Sequence, residues 1–224
     1  MRTPVPKFIS TGVSKYRSTS VFRECSVILA VVSHKGGVGK TTTAVHLAAY
    51  FQTLGSTLLL DGDDTRNAIN WSQRGAGFPF RVAPVQEAAQ LMPDFTHTVI
   101  DTGQRQTAED LRAAYATCDL ILIPSVPASL DTDGLGQTIR AIREHGLDKL
   151  RVLLTRVPPD AAKETAELRG LLLQMNVEIL TSEIPMLKAF AKAAAAGEIV
   201  NQTKDRNAHR AWEAYKAAGK EIRA

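Results

Sequence analysis

Cysteine is scarce in this 224-residue chain: Cys25 and Cys118 stand 93 positions apart, with no C-x-x-C pair. That spacing gives no support to a zinc ribbon, a redox dithiol or a bridging iron–sulfur centre, and fits two idle thiols in a reducing compartment. Long apolar runs are also missing. The longest, Val27–Val32, is six residues, where a membrane-spanning helix needs about 18. The first 25 residues have no apolar segment of the secretory kind. They are basic and rich in Ser and Thr, a composition common to transit peptides and flexible arms, and we expect a flexible basic leader over residues 1–25. Apolar residues make up 44% and charged residues 22%, a balance that supports a sizeable core and argues against wholesale disorder.

The net charge of +4 is too small to name a partner, but its distribution is uneven. Residues 1–25 carry five basic groups against Glu24. Residues 26–186 carry 14 basic and 18 acidic groups, and residues 187–224 carry eight basic and four acidic. An acidic body therefore lies between two basic ends.

Ser26–Ser33 is continuously apolar and rich in β-branched residues, as expected of a strand buried on both faces. A glycine-rich turn follows, then a helical pattern over Lys40–Leu54. Short apolar runs recur at Thr57–Leu60, Phe80–Ala83, Thr98–Ile100, Leu120–Ile123, Val152–Leu154 and Val177–Leu180. Helix-sized segments at Thr107–Thr117, Thr132–His145 and Ala161–Met175 separate most of them. This alternation predicts an α/β fold, a mostly parallel twisted sheet with helices on both faces, forming one domain over residues 26–224. The C-terminal section reads as two helices, Leu187–Ala196 and about Ala208–Ile222, broken at Gly197.

The strongest chemical signal is Lys35-Gly36-Gly37-Val38-Gly39-Lys40-Thr41-Thr42, set between a strand and a helix. His34 stands where G-x-x-x-x-G-K-[ST] has its first glycine, yet the chemistry survives. Glycines let backbone N–H groups converge on phosphate oxygens, and the helix N-terminus adds its positive end. Lys40 can reach the β- and γ-phosphates, and Thr41 can ligate Mg²⁺. Two strand ends add carboxylates. Leu58–Leu60 runs into Asp61-Gly62-Asp63-Asp64, with Asn67 as a candidate helix cap, and Thr98–Ile100 runs into Asp101-Thr102-Gly103.

With lysine at both ends of its loop, the chain resembles the deviant Walker A ATPases of the ParA/MinD family, whose motif is K-G-G-x-G-K-[ST]. The likeness runs from about residue 26 to 222. In that family the first lysine reaches phosphates bound by the partner subunit, so the resemblance implies an ATP-sandwich homodimer with Lys35 acting across its interface. Asp61-Gly62-Asp63 resembles the family's D-x-D-P-Q motif, with Asp64-Thr65 in place of Pro-Gln. The likeness assigns Asp63 to positioning the attacking water and Asp61 to supporting Mg²⁺. Asp101 matches the Walker B aspartate, which holds Mg²⁺ through water, and Asp-Thr-Gly-Gln-Arg is close to the D-T-G-G-R of small plasmid partition homologues. Pro124 and Pro127 are expected to end a strand, and Asp131 to cap the next helix. Ile184-Pro185 resembles the segment that contacts adenine. Thr155 departs from the Asn that relatives often place beside the base.

The resemblance further implies slow, partner-stimulated hydrolysis of Mg²⁺-ATP, nonspecific DNA as a matrix, and a ParB-like or other adaptor, with plasmid DNA or another cargo positioned in the cytoplasm on the nucleoid. Candidate DNA contacts are Lys188, Lys192, Lys204, Arg206, Arg210, Lys216 and Lys220. A 25-residue leader is too short for the helix-turn-helix domain of longer partition ATPases, so the likeness is to the short class. A MinD-like membrane helix is the nearest alternative, from the stripe Ala208, Ala211, Trp212, Tyr215, Ala218 and Ile222. That stripe is small and Ala-rich, which favours packing on the sheet. A protein-compartment cargo is indistinguishable from a plasmid at this level. Biosynthetic enzymes of the dethiobiotin synthetase type lack a lysine at the position of Lys35.

Overall fold

The computed structural model describes residues 26–33, 35–103, 107–127, 132–143 and 148–224. The basic leader, Cys25, His34, Gln104, Arg105 and Asp131 lie outside the described residues. Seven strands form one sheet: β1 (Ile28–Val31), β2 (Thr57–Gly62), β3 (Arg81–Pro84), β4 (His97–Thr102), β5 (Leu120–Ser125), β6 (Leu150–Val157) and β7 (Glu178–Pro185). Their order is β3-β2-β4-β1-β5-β6-β7, and every neighbouring pair is parallel. Parallel neighbours need crossovers, and helices supply them. In chain order the crossover helices are α1 (Lys40–Gln52), α2 (Asn67–Ser72), α3 (Ala88–Leu91), α4 (Ala108–Thr117), α5 (Thr132–Arg143) and α6 (Ala162–Gln174), and α7 (Lys188–Ala196) and α8 (Ala208–Ile222) follow the last strand.

Alternation along each strand divides the core in two. On one face Leu29, Val31, Leu59, Val99, Leu122 and Leu153 pack against α1, α2, α7 and α8. On the other, Ala30, Val32, Leu58, Leu60, Ile121 and Val152 pack against α3–α6. A strand covered on both faces must be apolar at every position, which is why β1 and β5 read as unbroken apolar runs.

Pro124 does not end its strand. β5 continues to Ser125 and pairs Pro124 with Leu153 of β6. The register with β1 stops at Leu122, so the missing N–H of Pro124 falls where no β1 residue is paired with it. The stripe on α8 is packed inward, as its composition favours: Ala211, Tyr215 and Ala218 are buried against the sheet and α1. No helix among the described residues is long and apolar enough to cross a membrane.

Candidate nucleotide-phosphate site

The carboxyl ends of β1, β2, β4 and β6 meet around one loop, where parallel α/β sheets hold their ligands. The loop runs from Lys35 to Gly39 and feeds α1. Gly37 and Gly39 have φ of +77° and +89°, in the left-handed region that favours glycine, and Gly39 stands at the cap position of α1. Ser33 ties the start of the loop: its Oγ accepts from the Lys35 N–H at 3.2 Å and donates to the Lys35 carbonyl at 3.1 Å.

Lys40 folds inward and is 7% exposed. Its Nζ lies 3.1 Å from Asp101 Oδ1 and 3.6 Å from Asp63 Oδ2, and donates to the Thr102 carbonyl. Three strand ends thus bring together residues 40, 63 and 101, which sequence spacing alone could not place in contact.

The two carboxylates have opposite electrostatics. Burial pushes the Asp101 carboxyl up to about 6, against the opposing pull of Lys40 and a hydrogen bond from Thr41. Burial also pushes the Asp63 carboxyl up, but two hydrogen bonds from Thr65 and the Lys40 ammonium outweigh it, and its pKa lies below the ordinary value. Both Thr65 bonds, from N–H at 3.0 Å and Oγ1 at 2.8 Å, end on Asp63 Oδ1. Asp63 Oδ2 is left facing Lys40.

Asp61 braces this loop. Its Oδ1 accepts the Asp63 N–H and its Oδ2 the Ile69 N–H, each at 3.0 Å. Asn67 is the first residue of α2 rather than its cap. Arg66 holds the cap position at φ +51°, and the Asn67 side chain donates to Thr65 Oγ1 at 2.7 Å. A Cβ at Gly103 would lie 3.2 Å from the Gly62 carbonyl, so close packing holds the ends of β2 and β4 together.

A divalent cation fits this donor set. Asp101 Oδ2 is buried with no hydrogen-bond partner, the Thr41 side chain hydrogen-bonds the same carboxylate, and hard oxygen ligands of this kind suit Mg²⁺.

Two contacts were not apparent from the sequence. Thr155, at the end of β6, donates through Oγ1 to the Val38 carbonyl at 2.7 Å, with the Ser125 carbonyl at 3.3 Å. Arg156 donates to the Gly37 carbonyl and has φ +51°. The only sequence signal was the departure from Asn at position 155. Pro185 stands opposite Val157 in the β6–β7 register. It lines a cavity of about 640 Å³ together with Val157, Pro158, Met186, Leu187 and Arg210.

The candidate DNA contacts divide into two groups. Lys192 pairs with Asp205 at 2.6 Å, and Lys216 with Glu213 at 2.9 Å. Lys188, Lys204, Arg206, Arg210 and Lys220 are exposed, as is Lys192 despite its pair.

Residues 29–200 match the family described as CbiA, the CobQ/CobB/MinD/ParA nucleotide binding domain. The "Maintenance of carboxysome distribution protein A" of Gloeobacter kilaueensis is 33% identical over 202 residues, 87% of this chain and 93% of its own length. Protein ParA of Rhizobium radiobacter is 28% identical over 182 residues, covering 75% of this chain and 81% of its own. Among solved structures, apo McdA of Cyanothece has the same fold, with a TM-score of 0.68 at 18% identity, covering 86% of this chain and 99% of that one. Phosphate loop, opposed carboxylates and the match over most of the sheet agree, and the chain belongs to the CobQ/CobB/MinD/ParA nucleotide binding domain family.

Proposed function

We propose that the chain is a Mg²⁺-dependent ATPase that positions a cargo by switching between nucleotide states. The observation that carries this reading is the meeting of Lys40 with Asp63 and Asp101 behind a loop that has lysine at both ends. The loop N–H groups and Lys40 bind the phosphates, Thr41 and Asp101 hold Mg²⁺, and Asp61 supports that site by bracing the Asp63 loop. When bound, Mg²⁺ neutralises charge on the β- and γ-phosphate oxygens. Asp63, kept ionised by its hydrogen bonds and by Lys40, orients the attacking water. Lys35 reaches the partner's phosphates in a homodimer that closes on ATP, delivering a cation to charge that develops in the transition state. The cavity at Pro185 receives the base.

The ATP dimer doubles the exposed C-terminal basic set, which binds DNA through its phosphates without reading sequence and places the protein on the nucleoid in the cytoplasm. An adaptor, ParB-like or a cargo component, stimulates hydrolysis and releases the dimer. The carboxysome-distribution relative, matched over nearly its whole length, supports a protein compartment as cargo over a plasmid. The inward packing of the α8 stripe weighs against a MinD-like membrane anchor.

The test is D63A beside K40A. D63A is expected to keep ATP and accumulate as a dimer while hydrolysis falls by at least about 100-fold. K40A is expected to lose ATP binding. Hydrolysis by D63A at the parent rate would overturn the assignment of Asp63, and a parent protein that neither binds nor hydrolyses ATP would overturn the function.

A further inference from the structure

Every peptide bond among the described residues is trans, so the carbonyl of one residue and the N–H of the next point in opposite directions from one plane. Two successive peptides of the phosphate loop are held by their carbonyls. Arg156 donates to the Gly37 carbonyl, and Thr155 Oγ1 to the Val38 carbonyl at 2.7 Å. Both donors stand at the end of β6. In the sheet, β5 and β6 lie on one side of β1, and β4 and β2 on the other. Lys40 Nζ meets Asp101 and Asp63 on the β4–β2 side. Drawing the Gly37 and Val38 carbonyls toward β6 therefore aims the Val38 and Gly39 N–H groups toward the side where Lys40 and the carboxylates converge.

We propose that Thr155 and Arg156 are positioning residues for phosphate binding: by holding the Gly37 and Val38 carbonyls, they turn the Val38 and Gly39 N–H groups toward the nucleotide phosphates. This rests on the reading of the loop as an ATP site. It also gives the departure from Asn at position 155 a role, since the hydroxyl there is occupied by the loop. Two further features support it. Thr155 is 1% exposed, so its hydroxyl cannot exchange the Val38 carbonyl for bulk water. Arg156 keeps a left-handed backbone conformation that a non-glycine residue adopts at a cost, and such outliers cluster where a side chain must be aimed. Preorganised N–H groups bind an anion without reorganising as it arrives.

The experiment measures Mg²⁺-ATP and Mg²⁺-ADP affinity by equilibrium titration of the full chain, with the unfolding midpoint of each nucleotide-free variant recorded in parallel. T155V keeps shape and removes the donor, T155S restores the hydroxyl, and R156N tolerates positive φ while removing the guanidinium. T155V and R156N are each expected to weaken both nucleotides by about tenfold, the value of one hydrogen bond removed from an anion site, with T155S near the parent. Parent-like affinity in both T155V and R156N would overturn the proposal. So would equal weakening in T155S and T155V, which would mark packing rather than the hydroxyl. If T155V does not fold, R156N on the exposed side decides by the same criterion. A parent that binds no ATP would instead remove the function on which the proposal rests.

Discussion

His46 shows how a single residue can tie the phosphate loop to the rest of the molecule. It is buried in α1, four residues after Thr42. Its Nδ1 lies 2.7 Å from the Thr42 carbonyl and must donate there, so Nε2 is the acceptor for the Val200 N–H at 3.1 Å. The ring stacks on Tyr215, with centroids 4.8 Å apart, and Tyr215 Oη is 3.1 Å from Thr43 Oγ1. A second proton would have to sit on Nε2, facing the Val200 donor, and would have to be buried. Burial lowers the His46 pKa from 6.5 to about 4, against the raising effect of the bond to Thr42. Between those values the unfolded chain binds more protons than the native one. His46 therefore contributes its full stability above pH 6.5, and loses it as pH falls toward 4, by about 3 kcal/mol in all. Asp101, raised by burial, acts in the opposite sense over most of that range, below about pH 6, so the parent curve alone is a mixture. Denaturant unfolding from pH 7 to 4 should show H46Q less stable than the parent at neutral pH but with a flatter acid limb. Parallel curves for the two proteins would remove this assignment.

At the scale of elements, most of the fold was legible. Seven apolar runs became seven strands; the inner strands β1, β2, β4 and β5, covered on both faces, carry the signal at nearly every position, while the edge strands β3 and β7 carry it only in part. The long helices were legible from their period, and the C-terminal pair α7 and α8 from the break at Gly197, which has φ +73°. The short α2 was not, because six residues carry too little periodicity. Nor was the contact set of the site, since residues 40, 63 and 101 meet only through strand order. The packing of α8 on α1 was equally hidden. It depends on Gly219, where a Cβ would stand 2.2 Å from Tyr50 Cδ1 and 2.7 Å from Cγ. Tyr50 is 5% exposed, so its ring is packed rather than free to swing into solvent. G219A gains about 1 kcal/mol in helix propensity, yet the overlap should make the protein less stable by about 1–3 kcal/mol net. Combining it with Y50A in a double-mutant cycle should recover much of that loss. Additive effects would show that the helices are not held apart by this pair.

For the whole molecule the charge division matters more than its sum. The acidic body holds the candidate phosphate site, while the basic excess over residues 187–224 sits on α7, α8 and the segment between them. The structure ranks that excess. Asp205 forms an ion pair with Lys192 and Glu213 one with Lys216, whereas Lys204 and Arg206 are exposed, and Asp205 feels Arg206 only through its charge. Arg210 also lines the cavity at Pro185, so under the proposed function its removal is expected to affect base and DNA binding together. The pair K204A/R206A separates the two. With ATP present, it should weaken binding to nonspecific duplex DNA and reduce the slope of log affinity against log salt by about 0.9 for each DNA phosphate that is no longer neutralised. ATP affinity should stay at the parent value, because neither residue lines the cavity. K192A/K216A should change the slope less. Equal retention of the parent on DNA with ATP, ADP or no nucleotide would remove the switch. An unchanged salt slope in K204A/R206A would move the DNA surface away from this section, because side chains that neutralise phosphates must appear in the counterion release.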